Sequence, residues 1–189
     1  MGPHSRVMRW KALFEDLEAQ AEAAGRAELD AEVRDRTRRE GGLVQTADRL
    51  RGAIGADLTI RLRGAGAVRG ALQDAGRDWA LLEEQPGRDL LVPLAAVMTL
   101  VGLTRRAEPA AGAVAARLDL RWALRGLARD RTPLHVLLVD ATVLSGTIDR
   151  VGADHLELAE HPAGEVRRVS AVRGVQLVPL PALALLRPG

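Results

Sequence analysis

The stretch Gly70–Glu84 reads "GALQDAGRDWALLEE", and Gly146–Glu160 reads "GTIDRVGADHLELAE". In both, a glycine is followed two places on by an apolar side chain, then by a second glycine, an aspartate, a leucine and a glutamate. Working outward, the likeness extends over Leu50 to Gly87 and Leu124 to Gly164. Leu50/Leu124, Gly52/Gly126, Leu58/Leu134, Leu62/Leu138, Gly70/Gly146, Gly76/Gly152, Asp78/Asp154, Leu82/Leu158, Glu84/Glu160 and Pro86/Pro162 all match. Spacing is constant from Leu58 to Pro86, and the slips on either side fall at turn residues. The chain is an internal duplication.

Each repeat alternates apolar and polar residues with the two-residue period of a strand. Leu58, Ile60 and Leu62 begin the first repeat; Leu134, Val136 and Leu138 begin the second. Gly64 and Gly66, or Asp140-Ala141-Thr142, make the first turn. The second strand carries Val68 and Leu72, or Leu144 and Ile148, with a mid-strand glycine that marks a strong bend. A third strand carries Ala80 and Leu82, or Leu156 and Leu158. The expected fourth strands are 89–92 and 166–169, and the expected fifth are 98–101 and 175–178. Five short bent strands per repeat predict a small closed or nearly closed barrel. A helix is expected before each, over 45–54 and 114–128, with 104–112 as linker. The tail 179–189 reads as a short terminal turn or helix.

The region 8–42 reads as a long helix. Trp10, Leu13, Phe14, Leu17, Ala21 and Ala24 form one stripe, acidic residues come early, and Arg34, Arg36, Arg38 and Arg39 come late, as the helix dipole favours. Either it docks by its Trp10/Phe14 end or it oligomerises. The expected organisation is thus a helix at 8–42, a first barrel with its leading helix at 43–103, a linker at 104–112, and a second barrel with its leading helix and tail at 113–189. The fold class is α+β, mainly β.

Composition narrows the function classes. The chain has no cysteine, which removes disulfides, thiol catalysis and cysteine-held zinc. No apolar run is long enough to span a bilayer, and the start "MGPHSRVMRW" lacks a signal-peptide layout, so a cytoplasmic protein is expected. The net charge is only +2, low for a general polyanion binder. Aromatic residues are scarce and tyrosine is absent. No serine stands in a nucleophile setting, and no glycine-rich loop links a strand to a helix. Neither an enzyme nor a cofactor is expected.

The order of helix, five strands, bending glycine and turn aspartate resembles the Sm-like fold of Sm proteins and bacterial Hfq. Gly70, Leu72 and Asp78, and Gly146, Ile148 and Asp154, fit its first signature. The base-contacting asparagine is replaced by Trp79-Ala80 and His155-Leu156. Val172-Arg173-Gly174-Val175 matches its second signature; Ala96-Val97-Met98 does not. The resemblance implies two tandem barrels that pair edge to edge, and RNA contacts by Asp78, Trp79, Asp154, His155, Arg173 and Gly174. Arg34, Arg36, Arg38 and Arg39, with Arg49 and Arg51, make the one basic cluster, which either meets nucleic acid or is simply a charged helix end. The whole chain also resembles a poorly characterised actinobacterial family, some of whose members are labelled Fis-type regulators. That label implies a C-terminal helix-turn-helix, and 175–186 is too strand-like and too short for one.

Competing readings stand beside these. Trp79 either stacks a base or fills the barrel rim, and Trp122 lies on a helix among leucines as core. His155 beside Asp154, with His161 near by, is a weak metal set. The function expected is a non-enzymatic scaffold or regulator that binds protein or self-associates. The alternative is an RNA-binding regulator.

Overall fold

The structure is a computed structural model that describes residues 22, 25, 26, 28, 29, 32, 35, 41–110, 112, 118–162 and 174–189. The chain divides into two compact units, Met1–Val44 and Gln45–Gly189. In the first unit, the long helix expected over 8–42 is not an element of the described chain. Most of that stretch lies outside the described residues, and Glu22 to Asp35 contributes isolated helical positions only.

The second unit is built from strands. Helix α1 (Thr46–Arg51) leads into β1 (Asp57–Leu62), β2 (Gly66–Ala75), β3 (Trp79–Gln85) and β4 (Arg88–Pro93). A 3-10 turn, Leu94–Ala96, then precedes β5 (Val97–Val101). Helix α2 (Leu120–Arg129) leads into β6 (Pro133–Leu138), β7 (Val143–Val151), β8 (His155–Glu160) and β9 (Gly174–Pro179). A second 3-10 turn, Leu180–Ala182, precedes β10 (Leu183–Pro188). The two expected five-stranded barrels are not what forms. All ten strands belong to one antiparallel sheet, in the order β5-β1-β2-β3-β4-β10-β6-β7-β8-β9.

The halves repeat in register. Leu58 faces Gly70 and Leu134 faces Gly146. Trp79 faces Pro93 and His155 faces Pro179. Both second strands carry a bulge at the same place, between Leu72 and Asp74 and between Ile148 and Arg150. The bending glycines have a steric cause. A Cβ on Gly70 would lie 2.5 Å from the Glu83 carbonyl oxygen, and one on Gly146 would strike that of Ala159. The paired neighbouring strand, β3 or β8, passes too close there for any side chain.

The C-terminal part of the second half differs from the expectation. The strand read as the fifth, 175–178, lies within β9, which pairs with β8 as β4 pairs with β3, and so is the fourth. The expected strand 166–169 lies outside the described residues. The tail read as a turn or helix is β10, the fifth strand of the second half. It pairs with β6 along its length, as β5 pairs with β1, and on its other side Leu186 pairs with Leu91 of β4. That pairing joins the halves strand to strand.

Each half has its own core. Leu50 from α1, Leu58, Ile60, Leu72, Leu82 and Leu90 are buried together in the first. Leu124 from α2, Leu134, Val136, Ile148, Leu156 and Leu158 are buried together in the second. The seam is shared, since Leu185 of β10 packs into the first core while Trp79 and Leu91 pack into the second. No described helix is long and apolar enough to cross a membrane.

Candidate functional site

The junction of the halves consumes several side chains expected to meet nucleic acid. Asp78 Oδ1 accepts the backbone N–H of Leu120 at 2.6 Å, at the start of α2. Trp79 donates its Nε1–H to the Leu118 carbonyl at 3.0 Å, and Arg77 N–H reaches the same oxygen at 3.1 Å. The Trp79 ring stacks on Trp122 with centroids 6.4 Å apart and 17° between planes. Trp79 is 3% exposed. With its donor spent and its face covered, it is core and is not open to a base. Trp122, read as core, is instead half-exposed on the outer side of that stack.

The second half repeats this turn, and among the described residues no helix start is laid over it, though Arg121 of α2 donates to the Ala153 carbonyl at 3.4 Å. Asp154 stands where Asp78 does and is almost fully exposed, its Oδ1 2.8 Å from His155 Nδ1. That hydrogen bond holds the Asp154 carboxyl below its ordinary value. His155 stands where Trp79 does, and a Cβ on Gly152 would strike its ring just as one on Gly76 would strike Trp79. The backbone carbonyls of Asp78 and Asp154 both accept from the 3-10 turns, from Leu94 N–H at 2.9 Å and Leu180 N–H at 2.8 Å. The turns are built alike, and among the described residues only the first is covered by a helix start.

Of the basic cluster, only Arg49 and Arg51 fall among the described residues. Arg34, Arg38 and Arg39 lie outside the described residues, as does Arg173; Gly174 opens β9, so the Arg173-Gly174 pair precedes the fourth strand and not the last. Arg49 donates to the Thr104 carbonyl at 2.5 Å. Arg51 is held by Asp48 at 2.5 Å and by the carbonyls of Glu108 and Gly76. Both arginines fasten the linker against α1 and the first half.

The remaining polar groups pair locally. His135 Nδ1 lies 2.9 Å from Ser145 Oγ across β6 and β7. Buried His161 shares a 2.7 Å hydrogen bond between its Nε2 and Thr147 Oγ1, and its Nδ1 lies 3.1 Å from the Pro162 carbonyl. Among the described residues no group of His, Asp and Glu is arranged to hold a metal.

What the sheet leaves open is its two ends. Neither β5 nor β9 has an outer strand partner among the described residues. Neither carries a charged side chain: β5 reads VMTLV and β9 reads GVQLVP. Register with the inner strands shows what they lack. Leu91 of β4 is 6% exposed, whereas Leu177, its counterpart in β9, is 61% exposed. Ala184 of β10 is fully buried, whereas Met98, its counterpart in β5, is 57% exposed. Val101 and Val175 are likewise exposed. The β9 edge is missing from the sequence reading because 175–178 was counted as the fifth strand and the tail was read as a turn or helix. No family model matches the chain, and no curated protein does.

Proposed function

We propose that this chain is a non-enzymatic binding and assembly module that takes protein partners by strand addition at its β5 and β9 edges. One observation carries the reading: both terminal strands are apolar and uncharged and have no outer partner among the described residues, while their counterparts at the internal seam are buried. Proteins usually blunt open edges with charge, proline or a covering element. An added strand satisfies the open N–H and C=O groups and covers the exposed apolar side chains together. Nucleic acid fits these edges poorly, since phosphate recognition needs cationic groups and the edge strands have none. A cytoplasmic setting belongs to the same proposal.

A titration with fluorescent single-stranded RNA of mixed sequence, at low and at physiological salt, tests the choice of partner class. Binding of RNA should be absent at physiological salt, and any seen at low salt should vanish as salt rises. Micromolar or tighter binding that survives physiological salt would overturn the protein-binding reading.

A further inference from the structure

The first half carries a surface cleft of about 500 Å³ beside the bending glycine of β2. Gly70 and Ala71 line it with small groups, and Asp57, Arg69, Glu83 and Glu84 line it with charge. The tight turn that bounds it, Gln85 to Arg88, is described throughout. Its size is that of a ligand cleft.

The second half shows the same place filled. Thr147 stands there where Ala71 stands, and Ala159 where Glu83 stands. The matched prolines, Pro86 and Pro162, put His161 where Gln85 stands. The His161 imidazole is buried in this position, hydrogen-bonded to Thr147 Oγ1 and to the Pro162 carbonyl. Gln85 instead continues into the turn, pairs with Arg88 and is exposed. The repeat thus builds one seat twice. One holds a planar, nitrogen-bearing group from its own chain, and the other is open among the described residues.

The lining says which planar group suits the open seat. Ala71 brings no hydroxyl, so the acceptors are carboxylates. Glu83 is already fixed in place, its Oε1 accepting the Gly87 N–H at 3.0 Å and its Oε2 accepting from Gln73 Nε2 at 3.0 Å. Each oxygen keeps a further lone pair for a ligand. None of the ion pairs among the described residues joins Arg69 to Asp57, Glu83 or Glu84. Three carboxylates against one guanidinium leave the cleft with an excess of negative charge. A flat cation with several N–H donors in a fixed fork matches such a lining better than a compact ammonium.

We propose that this cleft takes the guanidinium of an arginine side chain from a protein partner, laid over Gly70 and Ala71 and hydrogen-bonded by the surrounding carboxylates. The inference goes beyond strand addition and does not rest on it, since neither β5 nor β9 lines the cleft.

The test is a nuclear magnetic resonance titration of the isotope-labelled full chain with acetyl-Gly-Arg-Gly-amide, to tens of millimolar at low salt. The amides of Gly70, Ala71 and Gly87 should shift and saturate. The matching lysine peptide should bind more weakly, and the glutamine peptide should give no saturable shift. Glu84→Gln removes one exposed charge and should weaken binding about two- to fivefold. Ala71 shares a face with Glu83, so Ala71→Leu should fill the seat and abolish the shifts while the rest of the spectrum stays that of the folded wild type. The inference is overturned by a wild type without saturable shifts at the cleft, by a lysine or glutamine peptide that binds as well as the arginine one, or by a folded Ala71→Leu variant that binds like the wild type. Each of these results leaves strand addition at the sheet edges standing.

Discussion

At the scale of single residues, the repeat places the same backbone demand on different side chains. Gly70 and Gly146 serve one purpose, the close approach of the neighbouring paired strand, and the need for a bend there was legible from a glycine at mid-strand. Gly70→Ala should lower stability by about 1–3 kcal/mol, as overpacking typically does, read as a fall in thermal midpoint. Ala141 holds a left-handed backbone, φ 72°, in the turn where the first repeat has glycines. That conformation costs a residue with a side chain about 1–2 kcal/mol, so Ala141→Gly should raise stability by about 1 kcal/mol. The sequence left Trp79 between base stacking and rim packing, because the segment that covers it belongs to the other repeat. Trp79→Ala should cost about 3–5 kcal/mol, as for large buried aromatics. Trp122→Ala should cost much less, and denaturant melts of the pair separate the two roles.

At the scale of elements, the caps and registers do the positioning. Asp119 caps α2 by accepting the Trp122 N–H at 3.0 Å. Burial alone would raise its carboxyl, but the hydrogen bonds from Arg121 and Trp122 and the charges of Arg121 and Arg125 outweigh it and hold the group below its ordinary 3.8. A depressed value means that the cap's contribution is whole above pH 3.8 and drains away as pH falls through the lower folded value. Asp119→Ala should cost about 1 kcal/mol at neutral pH and flatten that part of the acid limb, which melts at stepped pH would show.

All five strands of the first half, and the first three of the second, were legible because alternation and turn residues agree there. Beyond Pro162 the agreement failed. The second half carries a long connection between β8 and β9 where the first has a tight turn, Gln85 to Arg88. Counting strands through that connection put 175–178 one place too late and left Leu183–Pro188 without a partner. Pro179 and Pro181 also argued for a turn, which is present as a 3-10 segment ahead of β10. Leu186 pairs with β4 and β6 at once, so Leu186→Ala should cost about 2–5 kcal/mol. Chemical denaturation followed by circular dichroism checks it.

At the scale of the whole molecule, periodicity within a repeat says how strands alternate but not whether each half closes on itself. That depends on which edge meets which, a long-range choice written in burial and not in spacing. Here β4 and β10 meet, their side chains divide between the two cores, and the duplication becomes one sheet with two unlike ends. The candidate binding edges follow from that topology, which is why strand spacing alone did not reveal them. The most direct test is nuclear magnetic resonance on the dilute protein, reading cross-strand contacts between Leu91 and Leu186 together with exchange of the amides in β4 and β10. The account expects the contact, with slow exchange along both strands where they pair. Absence of the contact, with fast-exchanging amides on the facing sides of β4 and β10, would mean two separately closed halves and would contradict the single sheet on which the rest depends.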